Sequence, residues 1–190
     1  MRRATFIEGH FMFAGGMLMK FFILLILATM LVACSKDTNI PKNVTQSESQ
    51  SDDVPSFFNL SVIKNVDWKE SEVFTYEGLE LRGIPGKVGI LSTPWKAGVN
   101  NKYMWHFFGD NIPSGKLTVI AVQEGTNKVS KALTDDRGSH MWVSPYGSVP
   151  KAVNGHTDIP ANMMLPNKGK WVLNAYIGKE LFGQIVVDVQ

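Results

Sequence analysis

The sequence predicts an all-β fold, an antiparallel β-sandwich, on the basis of two observations. From Phe57 onward, short apolar runs rich in Val, Ile, Phe, Tyr and Trp alternate with Gly, Pro, Asn and Asp, the pattern of strands and turns. No window of about a dozen residues in this part keeps a helical period. Many short strands at such spacing are typical of a sandwich or a barrel. We therefore predict one domain over residues 57–190.

An export signal precedes this domain. Lys20 is followed by the apolar run FFILLILATMLV, residues 21–32, and then by small residues. A membrane-spanning helix needs roughly 18 or more apolar residues, which is longer than this run. We predict a cleaved signal peptide over residues 1–33.

The single cysteine of the chain, Cys34, directly follows the apolar run. The sequence Leu31-Val32-Ala33-Cys34 resembles the bacterial lipobox. The resemblance implies a diacylglyceryl thioether on Cys34, cleavage by signal peptidase II between Ala33 and Cys34, and an anchor of fatty acids such as palmitate. Each buried methylene contributes about 0.8 kcal/mol, so two acyl chains hold a protein durably in the membrane. The alternative is a structural cysteine after an uncleaved helix.

The start of translation is predicted at Met19. Residues 1–18 contain Glu8 and several phenylalanines, which are out of place at the start of a signal peptide, whereas Met19-Lys20 fits. Codons for Ala14-Gly15-Gly16 can contain AGGAGG, a ribosome-binding sequence, shortly before Met19.

The mature chain has no net formal charge. Of 19 basic and 17 acidic residues, three basic and one acidic precede Cys34, which leaves 16 of each sign. Nucleic-acid binding needs a basic stripe, and the signs alternate here without a long run, so we expect no nucleic-acid partner. With Cys34 acylated, no thiol remains for a disulfide, a metal or a nucleophile.

Residues 34–56 are predicted to be the lipidated cysteine and a flexible, disordered tether. Residues 35–56, SKDTNIPKNVTQSESQSDDVPS, hold too few large apolar groups to offset the entropy of ordering. A random coil of this length spans roughly 25 Å, which places the domain just outside the membrane.

Ten strands are predicted within the domain from the apolar runs between turn residues. They are Phe58–Lys64, Val73–Tyr76, Leu79–Arg82, Lys87–Ser92, Tyr103–Phe108, Lys116–Gln123, Met141–Ser144, Ala161–Leu165, Trp171–Ile177 and Phe182–Val189. In Tyr103–Phe108 both faces are apolar, which indicates a central strand covered on both sides or a strand covered by a loop. Apolar residues on both faces of Lys116–Gln123 also favour a central position.

The last two predicted strands form a hairpin whose register follows from its apolar face. A three-residue loop, Gly178-Lys179-Glu180, places apolar residues opposite one another on one face. The pairs are Trp171 with Val187, Leu173 with Ile185, Ala175 with Gly183, and Ile177 with Leu181.

The C-terminal stretch LPNKGKWVLNAYIGKELFGQIVVDV, residues 165–189, resembles the last two strands of bacterial immunoglobulin-like domains. Residues 56–190, including YMWHFFGD, are similar to a group of uncharacterised lipoproteins of Gram-positive, spore-forming bacteria. The resemblance implies an antiparallel immunoglobulin-like β-sandwich on the extracytoplasmic face of the cell membrane. It implies no activity.

Catalytic and metal sites are not expected. His106, His140 and His156 remain in the mature chain, but no two of them have the short spacing of metal ligands. His140 and His156 are the weak metal candidates, and with Asp135 they make up the hydrolytic alternative. His106 is expected to pack in its strand with one ring nitrogen hydrogen-bonded.

The segment 133–160 is predicted as a long, irregular loop region that contains Trp142 and Tyr146. Long loops on a rigid sandwich often carry binding sites, and aromatic rings receive sugars or peptides. Trp142, Tyr146 and the more distant Trp95 are therefore the candidate ligand-binding residues. The alternative is that these rings cover the open ends of the sandwich.

The function we predict is a non-enzymatic one. The protein presents an interaction domain at the cell envelope, held by a lipid at Cys34, with no cofactor and with a protein or a cell-wall glycan as its partner. The alternatives are a glycan- or peptide-binding module that uses the loop aromatics, and a metal-binding or hydrolytic protein. Histidine nitrogens that converge near a carboxylate would favour the last of these.

Overall fold

The computed structural model describes residues 53–190, which hold twelve β-strands and one short 3-10 helix, Leu60–Ile63. The strands are β1 (Glu72–Tyr76), β2 (Leu79–Ile84), β3 (Val88–Leu91), β4 (Asn101–Phe108), β5 (Lys116–Gln123), β6 (Val129–Lys131), β7 (Leu133–Thr134), β8 (His140–Met141), β9 (Val143–Ser148), β10 (His156–Met163), β11 (Gly169–Ile177) and β12 (Glu180–Val189). The predicted signal peptide, the start at Met19, the lipidation site Cys34 and the tether through residue 52 lie outside the described residues.

The strands form two antiparallel sheets that face each other. The large sheet has seven strands in the order β1-β2-β3-β4-β10-β7-β8. The small sheet has the order β12-β11-β5-β6, and β9 pairs with the other half of the β5 edge. The predicted all-β sandwich is therefore confirmed. None of the helical structure in residues 53–190 has the length and hydrophobicity that a membrane-spanning helix requires.

The strand order at the centre of both sheets is that of an immunoglobulin domain. The row β3-β4-β10-β7 corresponds to strands A-B-E-D, and β12-β11-β5-β6 corresponds to G-F-C-C′. The hairpin β1–β2 extends the large sheet beyond strand A, and β8 and β9 are inserted between D and E. After β3 the chain crosses to the small sheet, where Trp95 forms a parallel bridge with Val189.

The core between the sheets is built from alternate residues of the central strands. Tyr103, Trp105 and Phe107 of β4 and Trp171 and Leu173 of β11 are all at most 2% exposed. Side chains in a strand point to opposite faces in turn, so each set of alternate residues forms one apolar surface. The burial of these large rings stabilises the sandwich through the hydrophobic effect, at about 25 cal/mol per Å².

A second apolar cluster covers the outer face of the small sheet. Phe58 and Ile63, from the chain before β1, pack with Ile120, Val122 and Tyr176 of the sheet. This explains why both faces of β5 are apolar, as the sequence predicted. The chain directly after residue 53 already packs on this cluster, so contacts with the sandwich begin at the first described residues.

The predicted strand Phe58–Lys64 is wrong, because this segment contains the 3-10 helix Leu60–Ile63. Asn59 caps the helix, and its side chain accepts a hydrogen bond of 2.8 Å from the backbone N–H of Ser61. A helical turn and a strand can both place the apolar residues of this segment against the sheet. The hydrophobicity of the segment therefore did not distinguish a helical turn from a strand.

Two other predicted strands, in segment 133–160 and directly after it, have different bounds in the structure. The strand predicted at Met141–Ser144 is divided into β8 and β9, and β10 begins at His156, well before the predicted Ala161. Segment 133–160 therefore contains β7, β8, β9 and the start of β10, and the predicted long irregular loop is wrong. Pro160 concealed the full length of β10 in the sequence, because proline is unusual inside a strand. It is tolerated there because β10 pairs with β7 only at Asn162 and Met163, so proline's missing N–H breaks no bond to β7.

The β11–β12 hairpin confirms the predicted pairs of Trp171, Leu173 and Ala175 with their partners on β12. The three-residue loop is wrong. The register shifts after Ala175, and Ile177 pairs with Glu180 across the two-residue loop Gly178-Lys179. Gly178 has φ +63°, which suits the first position of a tight hairpin turn, and the bulge restores the apolar register beyond it.

Candidate functional site

Two histidines and a carboxylate meet on the outer face of the large sheet. His106 lies on β4 between two core residues, so its side chain points away from the interior of the sandwich. β10 runs antiparallel beside it, with Asp158 opposite His106 and His156 opposite Phe108. His156 and Asp158 are two residues apart in one strand and therefore share this face.

The two imidazole rings are in direct contact. Nδ1 of His106 and Nε2 of His156 are 3.1 Å apart. The ring centroids are 5.4 Å apart and the ring planes differ by 15°. Two imidazoles that meet end to end through this nitrogen–nitrogen contact would have nearly the same geometry. In such a hydrogen bond one nitrogen carries a proton and the other offers a lone pair. The prediction that His106 packs with one ring nitrogen hydrogen-bonded is confirmed.

Asp158 completes a cluster of three possible ligands. One nitrogen of each histidine and one carboxylate oxygen of Asp158 all lie within 4.8 Å of one another. His106 is 3% exposed, His156 is half-buried and Asp158 is exposed. The cluster therefore has a buried floor and an opening to solvent at the carboxylate.

Aromatic rings surround the histidines. The centroid of Tyr76 is 4.8 Å from that of His156, and the centroid of Phe108 is 5.0 Å from it. Tyr76 comes from β1, at the far edge of the sheet. Its neighbour Phe74 passes above Gly89 of β3, where a Cβ atom would lie only 3.0 Å from the Phe74 ring. Glycine at this position thus lets the β1 side chains reach across the sheet to the cluster.

Burial keeps the pKa of His106 below its usual value. Burial is the largest cause, the Asp158 carboxylate acts against it, and His156 lowers the pKa further. Glu77, at the β1–β2 turn, also favours the protonated form. In residues 53–190 no group hydrogen-bonds to the buried Nε2 of His106, which agrees with a neutral ring.

Sequence reasoning included His156 and did not identify His106 or Asp158 as partners. The H-x-D spacing of residues 156–158 was a usable signal, because in a strand it places both side chains on one face. The contribution of His106 depends on the pairing of β4 with β10, since the two histidines are 50 residues apart in the chain.

The predicted combination of His140, His156 and Asp135 does not assemble. Within residues 53–190, the metal-competent group of three or more ligands contains His156 but neither His140 nor Asp135. The Asp135 carboxylate instead accepts hydrogen bonds from the backbone N–H groups of Arg137 and Ser139. These bonds hold a turn and lower the pKa of Asp135.

Trp95 is a core residue, which corrects its place among the candidate ligand-binding residues. It is 3% exposed and stacks on Tyr103, with ring centroids 4.2 Å apart and an interplanar angle of 12°. The crossing of the chain from one sheet to the other carries Trp95 inward, so its ring covers the core as the alternative reading expected.

Trp142 and His140 line one surface pocket of about 370 Å³, together with Lys131 and Asp53. The Lys131 ammonium lies 5.3 Å from the centroid of a Trp142 ring and forms an ion pair with Asp53. The pocket thus combines a partly buried indole with both signs of charge. This arrangement can receive an apolar or sugar face beside hydrogen-bonding groups.

Tyr146 is not among the residues that line this pocket, and its hydroxyl belongs to a separate polar network. The Tyr146 hydroxyl donates to Asp136 Oδ1 at 2.5 Å and accepts from Asn162 Nδ2 at 2.7 Å. The hydrogen bond to Asp136 and its negative charge raise the pKa of Tyr146 to about 12. Trp95, Trp142 and Tyr146 therefore do not form one common groove.

Comparison with known proteins gives two matches. Residues 57–187 match the family model described as a domain of unknown function, DUF4871. The X-ray crystal structure of a candidate lipoprotein from Bacillus anthracis is similar, with 32% identity and a TM-score of 0.67. The similarity covers 75% of this chain and 99% of that one. No curated protein matches the chain. Both matches agree with the resemblance carried by residues 56–190.

Proposed function

The chain belongs to the DUF4871 family, and we propose that it is a lipid-anchored extracytoplasmic protein that presents a non-enzymatic interaction domain at the cell envelope. The observation that carries the proposal is the lipobox-like sequence Leu31-Val32-Ala33-Cys34 between an apolar run and a polar stretch. A thiol at that place is positioned for acylation, and the domain that follows is large enough to bury its own core.

The similar protein from Bacillus anthracis supports the proposal, because it is a candidate lipoprotein and nearly its whole length aligns with this chain. An immunoglobulin-like sandwich is suited to display and recognition, because its rigid sheets hold loops that can meet a partner. The tether would keep the domain clear of the lipid headgroups while limiting its reach to the cell surface.

The anchor is tested by metabolic labelling with an alkyne analogue of palmitate in a Gram-positive host. The full chain should be labelled and should sediment with membranes, and Cys34→Ser should lose the label. Ser35→Ala, which alters the adjacent residue and leaves the thiol, is the matched control and should label normally. A mature N-terminal peptide with a free Cys34 thiol, or one that retains residues before Cys34, would refute the proposed anchor.

A second candidate function is glycan or peptide binding at the Trp142 pocket. Its volume of about 370 Å³ lies within the range of small-molecule sites, and an indole beside Lys131 offers a stacking surface with a cation. Soluble cell-wall fragments should then bind in a saturable way when they are titrated into the protein in a calorimeter. Trp142→Ala should abolish the saturable response, whereas Tyr146→Phe, outside the pocket, should leave it unchanged. Equal responses of both variants would contradict this candidate.

A further inference from the structure

We propose that His106, His156 and Asp158 bind one divalent transition-metal ion on the outer face of the large sheet. These three residues supply two imidazole nitrogens and a carboxylate oxygen within 4.8 Å of one another. Nitrogen and carboxylate donors of this kind suit zinc and its first-row neighbours. The inference goes beyond the proposed envelope function and does not depend on the lipid anchor.

The separation of the two imidazole nitrogens fits a shared metal ion. Two nitrogens bound at their usual distance to a tetrahedral zinc ion lie about 3.3 Å apart. Nδ1 of His106 and Nε2 of His156 are 3.1 Å apart. In the metal-free pair one of these two nitrogens carries the proton of the hydrogen bond. For both nitrogens to bind the ion, that proton moves to the other nitrogen of the same ring, so each imidazole keeps one N–H and stays neutral. Because both lone pairs point along this line, both rings must turn by roughly 35° for the ion to lie on the side of Asp158.

The surroundings favour a cation that enters from solvent. Asp158 is exposed and can move onto an incoming ion, while buried His106 holds the inner position. The Asp158 carboxylate, which is part of the cluster, brings a negative charge to this region. Tyr76 and Phe108 pack against the His156 ring and against each other, which removes part of the water around the site and strengthens electrostatic attraction there.

Three protein ligands leave at least one position on the ion for water or another ligand. Zinc sites with three protein ligands keep such an open position, whereas structural sites are closed by four. The site would therefore hold an exchangeable ion at the surface of the domain. It would not be a structural metal site on which folding depends.

The test uses the full chain, purified without a histidine tag and stripped with a chelator. Titration with Zn²⁺ in a calorimeter should give one ion per chain, and Co²⁺ should give the visible absorption bands of a low-symmetry nitrogen–oxygen site that Zn²⁺ abolishes. His156→Ala and Asp158→Asn should each weaken binding at least about tenfold. His140→Ala removes a histidine from a different surface and is the matched control, which should bind like the parent.

Several results would overturn the inference. One is the absence of saturable binding of one Zn²⁺ ion per chain. Another is unchanged affinity in both His156→Ala and Asp158→Asn, and a third is an equal loss of affinity in His140→Ala. Because Asp158 is exposed, Asp158→Asn should keep the fold, which circular dichroism checks, so its affinity remains informative even if His156→Ala unfolds.

Discussion

Replacement of Gly183 by alanine tests how the two sheets meet. Gly183 lies on the inner face of β12, and a Cβ atom there would be 2.6 Å from Cγ1 of Val88 and 3.4 Å from its Cβ. Val88 is on β3 in the opposite sheet and is fully buried. Since real side chains do not approach so closely, Gly183→Ala forces either Val88 or the β12 backbone to move.

The magnitude follows from the crowded contact. Overpacking a buried site by one methyl group typically costs about 1–3 kcal/mol, so Gly183→Ala should lower the free energy of unfolding by about that amount. Val88→Ala removes two methyl groups and should cost roughly 2–3 kcal/mol through lost burial and the cavity that remains. In the double variant, the methyl group introduced at position 183 occupies the space that Val88 Cγ1 vacates. The cost of Gly183→Ala should then fall to near zero.

The assay is urea denaturation of the parent, both single variants and the double variant, analysed as a double-mutant cycle. We expect a coupling energy of about 1–3 kcal/mol in favour of the double variant. Gly78→Ala is the control, because Gly78 has φ +82° and no heavy atom within 4 Å of its Cβ position. It should be destabilising through backbone strain alone and show no coupling to Val88→Ala. Additive effects of Gly183→Ala and Val88→Ala would refute the packing of β12 on β3.

Three further results are expected. Asn174→Ala removes a fully buried amide that donates to a strand carbonyl and accepts from Gln184, so the free energy of unfolding should fall by about 1–3 kcal/mol in urea. An unchanged midpoint would contradict this. Phe58→Ala should cost roughly 3–5 kcal/mol in the same assay, because this ring covers the outer face of the small sheet; a cost below about 1 kcal/mol would count against the covering role. Asp136→Asn should shift tyrosinate absorbance to lower pH, since Asp136 raises the pKa of Tyr146 to about 12 from 10.0. The stabilisation from this bond is present below pH 10.0 and is lost as the pH rises through about 12, and an unshifted titration would exclude it.

The strands of the sandwich were predictable wherever one face is buried. In β11 and β12, a slip of one residue would move Trp171, Leu173 and their partners off the face that meets the large sheet. The pairs of Trp171 and Leu173 followed from that constraint. The length of the loop between the strands could not be predicted in this way. A bulge after Ala175 and the left-handed Gly178 compensate each other and leave the apolar pattern unchanged.

The candidate metal site was only partly predictable, because its parts come from distant strands. His156 and Asp158 share a face by strand alternation alone. His106 joins them across a separation of 50 residues, through the register of β4 with β10. The large spacing concealed the site from a search for closely spaced ligands.

The sequence by itself determined the strand-rich class, because the alternation of apolar runs with turn residues is a property of neighbouring residues. A local motif and the composition also predicted an export signal that ends in a lipobox-like sequence, and a mature chain without net charge. Only the tertiary structure decided which residues cover the sheets and which lie in the core. It turned the apolar segment around Phe58 into a helical turn against the small sheet, carried Trp95 into the core and placed His106 beside His156. Burial and ligand geometry depend on which distant surfaces meet, and that is set by the packing of the whole domain.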